Sequence, residues 1–215
     1  MKRRPRILLA DDHAILLDSF RRLIEPRCEV VGVATDGHAL LALAAGTQPE
    51  IIVLDIAMPR LNGLDACAQL RRKIPAVKFV FLTANEDPDL AAEAIRLGAS
   101  GYLVKSGAAD ELFTAIEHAV AGKTYITPRV TGGLPAAVFL RQAPRHAAEK
   151  LTARQREVLQ LLAEGRPMKE IADLLNVTAR TVAFHKYSIM ELLGLKTNTE
   201  LVQYAVEHGL LSKRV

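Results

Sequence analysis

The chain has 215 residues, half of them hydrophobic, with 28 Lys and Arg against 24 Asp and Glu and only two cysteines. That balance excludes a disordered, collagenous or disulfide-stapled protein, and the length allows one large domain or two small ones. Residues 1–127 hold 15 basic and 16 acidic residues, 128–150 hold 4 and 1, and 151–215 hold 9 and 7, so the basic C-terminal part permits nucleic-acid binding without requiring it.

The start, Met1 to Arg6, has the charge of a secretion signal, but the apolar run behind it, Ile7–Ala10, halts at Asp11-Asp12 and is far too short for one. No stretch nears the roughly 20 apolar residues of a membrane span. A cytoplasmic protein is expected, with Cys28 and Cys67 as buried thiols rather than a disulfide.

Through residue 121 the pattern alternates between short β-rich runs and amphipathic helices. The expected strands are Arg6–Ala10, Glu29–Ala34, Ile51–Leu54, Val77–Leu82 and Gly101–Val104, with helices near 13–25, 37–45, 63–73, 88–97 and 108–121. Ile51–Leu54 is wholly apolar, and Val77–Leu82 nearly so, as in strands covered on both faces. Five βα units with short connections predict an α/β doubly wound, five-stranded parallel sheet, whose ligand site lies beyond the carboxyl ends of the strands. From Gly122 to about Lys150 the pattern breaks at Pro128, Gly132-Gly133, Pro135 and Pro144, predicting a linker.

After the linker every pattern is helical. Thr152 and Gln155 have capping-box spacing ahead of Val158, Leu159, Leu161 and Leu162, and Gly165 with Pro167 stops that helix. A short helix over Met168–Leu175 is followed by a tight turn at Asn176-Val177, then by a longer helix capped by Thr178 that runs to about Leu193. Asn198 to Glu207 forms the last. The middle pair has helix-turn-helix grammar, although small helical bundles of this kind also bind only proteins.

The strand ends carry the chemistry. The first expected strand runs into Asp11 and Asp12, the third ends at Asp55, the fourth is followed by Thr83 and the fifth by Lys105. Singly, an Asp there is usually a helix cap, Lys105 a surface lysine and Thr83 an incidental polar residue. Together they put three carboxylates, a hydroxyl and an ammonium on one sheet edge. Carboxylates so crowded must take up protons or share a cation, and oxygen ligands on short turns suit Mg²⁺. A Mg²⁺-bound carboxylate beside a lysine is a phosphoryl acceptor in chemical terms. His13 and His38 have no ligand partner at useful spacing and read as surface histidines.

Leu8 to His13, Asp55 to Pro59 with Asn62-Gly63, Leu82-Thr83-Ala84 and Gly98 to Lys105 resemble the receiver domain of response regulators. The resemblance implies that Asp55 accepts a phosphoryl group from a sensor histidine kinase. Asp12 would bind Mg²⁺ directly, Asp11 mainly through water, and the backbone carbonyl of Ala57 would complete the protein's share. Lys105 would meet the phosphoryl oxygens, Thr83 would follow them, and Tyr102 would turn inward into the vacated space as the second half of a switch.

Leu151-Thr152, Arg156 to Leu159, Leu162 to Gly165, Lys169 to Ala172, Thr181-Val182, His185, Leu193-Gly194 and Glu200 to Val202 resemble the LuxR-type helix-turn-helix of the NarL/FixJ subfamily. This implies a recognition helix over Thr178–Leu193 in the major groove of double-stranded DNA, and a homodimer when phosphorylated or DNA-bound. Where that family places Lys after Thr-Val, this chain has Ala183. The expected DNA-facing residues are therefore Lys169, Thr178, Arg180, Thr181, Phe184, His185, Lys186 and Tyr187, with a core position for Phe184 as the alternative. The expected division is a receiver at 1–123, a linker at 124–148 and a small all-α DNA-binding domain at 149–215. Two rival readings are a receiver-controlled domain that binds protein instead of DNA, and an aspartyl-phosphate phosphatase. The phosphatase would want an acid two residues after Asp55, where Ala57 stands, and a substrate cap that the chain lacks.

Overall fold

The computed structural model describes residues 3–142 and 151–211. Its first part is a parallel sheet in the order β2-β1-β3-β4-β5-β6. The strands are β1 (Arg6–Ala10), β2 (Glu29–Ala34), β3 (Ile51–Leu54), β4 (Lys78–Thr83), β5 (Gly101–Val104) and β6 (Tyr125–Ile126). Between them run α1 (Ala14–Ile24), α2 (Gly37–Thr47), α3 (Gly63–Lys73), α4 (Pro88–Arg96) and α5 (Ala108–Val120).

Side-chain alternation along the central strands divides the interior into two cores. Ile51 and Val53 of β3 join Leu17, Phe20 and Leu112 under α1 and α5. Ile52 and Leu54 join Leu40, Leu70 and Leu90 under α2, α3 and α4. Each such buried Leu, Ile or Phe contributes about 1.5–3 kcal/mol relative to exposure, so these strands cannot slip register without turning their side chains into the wrong layer. Pairing of Ala10 with Leu54 and of Thr83 with Val104 brings the carboxyl ends of four strands level.

The sheet has six strands, not the expected five. β6 adds parallel to β5 through Gly101–Tyr125 and Tyr102–Ile126. Two residues carry no readable alternation, so β6 exists only because the edge of β5 offers unpaired backbone groups. Behind it, α6 (Pro128–Thr131) and α7 (Ala136–Gln142) place Val130 and Phe139 in the second of the two cores. Part of the expected linker is thus folded onto the sheet; 143–148 lies outside the described residues.

The second part is helical: α8 (Ala153–Ala163), α9 (Met168–Leu174), α10 (Ala179–Leu193) and α11 (Asn198–Glu207). The Thr152–Gln155 capping box is present at α8, and Thr178 accepts from the Thr181 amide to start α10. Between α9 and α10 the chain reverses at Asn176, whose φ of 52° is a left-handed conformation that Asn tolerates. Val158, Leu159, Ile171, Val182, Ile189 and Leu201 close a separate small core.

Candidate functional site

The ladder that ends the strands also aims the acids. The Asp55 amide donates to the Ala10 carbonyl at 2.8 Å and the Asp11 amide to the Ala34 carbonyl at 3.1 Å, so both residues leave the sheet in register. Gly63 lets α3 begin close behind: a Cβ there would stand 2.1 Å from the Asp55 carbonyl oxygen. Lys105, the first residue past β5, places its Nζ 2.7 Å from Asp11 Oδ2 and 2.7 Å from Asp55 Oδ2. The five strand-end residues expected to converge do so: Asp11, Asp12 and Asp55 offer ligand atoms within 4.8 Å of one another, and Thr83 lines the same cavity as Asp55 and Lys105.

Asp11 and Asp55 are buried and Asp12 is exposed. Burial pushes the Asp55 carboxyl above its ordinary value; Lys105 pulls it back, Asp11 pushes it further up, and the Ala57 amide opposes that again. Burial alone would lower the Lys105 pKa, but the negative charges of Asp55 and Asp11 raise it above its usual value. The ammonium therefore occupies the place between two carboxylates that would otherwise repel. The remaining oxygen of Asp55, Oδ1, accepts from the Ile56 amide at 2.7 Å. The donor set, three carboxylates on short turns, fits a hard divalent cation.

Thr83 Oγ1 accepts from the Asn85 amide at 3.2 Å. Tyr102 is fully buried, its hydroxyl donating to the Asn85 carbonyl at 2.8 Å, and burial drives its pKa upward. Ala57 also lines the cavity. His38 is not among the residues gathered here, but His13 is. Its ring is half-exposed, yet Nδ1 stands 2.8 Å from Asp12 Oδ1 and 3.1 Å from Asp11 Oδ1. Reading it as a plain surface histidine missed this, although Asp-Asp-His in direct succession at a strand end was the available signal.

In the helical part, α10 buries Val182 and Ile189 and turns its other face outward. Arg180, Phe184 and Tyr187 are exposed on that outer side, Phe184 by 69% and Tyr187 by 66%, so the core alternative for Phe184 does not hold. Thr181, His185 and Lys186 are partly exposed beside them, and Thr178 and Lys169 lie exposed at the starts of α10 and α9.

Residues 7–117 match the response regulator receiver domain, and residues 149–205 match the bacterial regulatory proteins of the luxR family. The chain is a response regulator. It belongs to the NarL/FixJ subfamily, with a receiver domain followed by a LuxR-type DNA-binding domain, a family of transcription regulators and not of phosphatases. It is 33% identical to the transcriptional regulatory protein MctR of Rhizobium johnstonii, across 99% of both chains. It is 34% identical to the oxygen regulatory protein NreC of Staphylococcus carnosus, covering 96% of this chain and 99% of NreC. A solved complex of the two-component response regulator RcsB with DNA aligns with a TM-score of 0.58 at 27% identity, over 95% of this chain and 98% of that one.

The regulator's two domains meet at the loop that follows Asp55. Gln160 of α8 is fully buried there: its Oε1 accepts from the Asn62 amide at 2.9 Å, and its Nε2 donates to the Met58 carbonyl at 2.7 Å. Arg156 pairs with buried Asp65 at 2.7 Å, and the Arg60 amide donates to Glu164 at 2.9 Å. Sequence reading found none of these, because no pattern within α8 marks a helix whose polar residues face another domain. Beside the contact lies a cavity of about 820 Å³, with Asp55, Thr83 and Lys105 on the receiver side and His208, Gly209 and Leu211 at the end of α11 on the other. Among the described residues, no helix is long and apolar enough to cross a membrane.

Proposed function

We propose that Asp55 is the phosphoacceptor of a two-component pathway, receiving its phosphoryl group from a sensor histidine kinase and thereby controlling dimerisation and sequence-specific DNA binding. The observation that carries this reading is the bridge of Lys105 to both Asp11 and Asp55. It fixes the acceptor carboxylate and holds a cation where the transferred oxygens arrive. An Asp55 oxygen attacks phosphorus, the phosphorus–nitrogen bond of the phosphohistidine breaks, and an aspartyl phosphate results. Lys105 then exchanges its Asp55 contact for a phosphoryl oxygen while keeping Asp11. Bound Mg²⁺, held by Asp11, Asp12, Asp55 and the Ala57 carbonyl, would neutralise charge developing on those oxygens.

Thr83 is the candidate for sensing the product, since it lines the same cavity as Asp55 and its hydroxyl is held by the Asn85 amide. Tyr102 already sits inward on Asn85, so a move of Thr83 toward the phosphoryl group acts on the same short segment that Tyr102 grips. Phosphoryl chemistry is assigned to residues 1–123 and DNA binding to 149–215, with 124–148 joining them. On DNA, Lys169, Arg180 and Lys186 would meet phosphates or guanine, Thr178, Thr181 and His185 the backbone or base edges, and Phe184 and Tyr187 apolar edges. With so few basic residues per chain, tight binding calls for a homodimer on a two-fold site. Acetyl phosphate with Mg²⁺ should label the wild-type protein with one phosphoryl group by intact-mass measurement and leave Asp55→Asn unlabelled. Labelling of that variant would overturn the assignment.

A further inference from the structure

We infer that the cation site of this receiver is a mixed oxygen–nitrogen site in which His13 Nδ1 is a ligand, so that it favours transition-metal cations over Mg²⁺ more than an all-oxygen site would. The inference rests on the acidic cluster being a cation site at all. Lys105 takes the Oδ2 atoms of Asp11 and Asp55, which leaves Asp11 Oδ1 facing the other way. That oxygen accepts from the His13 amide at 2.9 Å, and it is turned toward the ring of the same residue. His13 Nδ1 lies 3.1 Å from it and 2.8 Å from Asp12 Oδ1.

These spacings suit hydrogen bonds, and they also suit neighbouring ligands of one ion. In an octahedron with metal–ligand bonds of about 2.1 Å, adjacent ligand atoms are about 3.0 Å apart. Asp11, Asp12, His13 and Asp55 together offer one ligand atom each within 4.8 Å of the others. His13 is the N-cap position of α1 but makes no side-chain capping bond, so the helix start does not engage its ring. With its proton on Nε2, the ring can present the Nδ1 lone pair to an ion shared with the two aspartates. Imidazole nitrogen discriminates among cations more strongly than carboxylates do, since it favours transition metals and adds little for Mg²⁺.

The test uses the full, untagged chain and Mn²⁺, which accepts both donor types. Electron spin-echo measurements of bound Mn²⁺ should show the nitrogen coupling of a directly ligated imidazole, and Mg²⁺ in excess should displace that ion. In His13→Asn, whose side chain suits an N-cap position, the coupling should vanish. Mn²⁺ affinity should then fall about tenfold, while Mg²⁺ affinity measured by competition should change less than threefold. Displaceable Mn²⁺ without direct nitrogen coupling in the wild type would overturn the inference and leave the cation site standing. Equal losses for both ions would also overturn it, making His13 only a positioning residue for Asp12. No displaceable Mn²⁺ at all would remove the cation site itself, and the inference with it.

Discussion

Asp55 and Cys67 show how differently one fold treats two buried, ionisable side chains. Asp55 keeps two groups that favour its charge, Lys105 at 2.7 Å and the Ile56 amide at 2.7 Å, set against burial and the neighbouring Asp11, which push its carboxyl upward. Cys67 of α3 is buried in the same apolar cluster as Leu64, Leu70 and Phe79; burial pushes its thiol up to about 12, outweighing the charge of Arg71, which pulls the pKa down. At pH 8 only about one thiol in ten thousand would then be a reactive thiolate. Iodoacetamide should therefore leave Cys67 unmodified in the native protein and alkylate it once the chain is unfolded, as mass spectrometry would report. Alkylation at equal rates in both states would contradict the burial. The strand-end residues were legible because each follows a readable apolar run; His13 was not, because its partners come from a turn whose geometry no periodicity encodes.

Among the elements, α10 is the proposed recognition helix. Its outer face carries Arg180, Phe184 and Tyr187 with Ala183 between them, where the subfamily's lysine would stand. Fewer cations mean fewer displaced counterions, so the salt dependence of binding should be shallow for a protein of this kind. Ala183→Lys should steepen the slope of log affinity against log salt by about 1 per subunit and raise affinity for unrelated sequences. Filter binding or fluorescence anisotropy across a salt series would measure this, and an unchanged slope would show that position 183 does not face phosphate. Element identity in this region was plain from the sequence because caps and breakers were local: Thr152, Gly165, Thr178 and Gly194. β6 was the opposite case, since a two-residue strand is created by its neighbour and not by its own residues.

For the whole molecule, the contact of α8 with the Met58–Asn62 loop matters most. Asp65 is buried and its charge is balanced across the domain boundary by Arg156, while Gln160 satisfies the loop's Asn62 amide and Met58 carbonyl. Removing one partner of such a pair leaves a buried charge uncompensated, which costs about 3–5 kcal/mol if nothing moves. The cheaper response is for the domains to part and let water reach Asp65. The double substitution Arg156→Ala, Gln160→Ala should enlarge the radius of gyration by small-angle X-ray scattering while leaving the helical circular dichroism unchanged. An unaltered scattering curve would mean the interface is held elsewhere, for example by Gly209 against Leu90. Because the contacted loop leaves Asp55 directly, and because α11 walls the cavity above that residue, the same variant separates domain contact from acceptor chemistry.

The linear order of residues by itself determined the parallel α/β layering, the helix-turn-helix, and the set Asp11, Asp12, Asp55, Thr83 and Lys105. Each of these follows from local rules: apolar period, capping residues, and polar groups at the ends of hydrophobic runs. Only the tertiary structure decided that a sixth strand joins the sheet, that Phe184 faces outward, that His13 turns toward the acids, and that Gln160 is spent on another domain's loop. Those outcomes depend on which surfaces are left with unpaired backbone groups or uncovered apolar area after the local elements have formed, and that is a property of their arrangement in space.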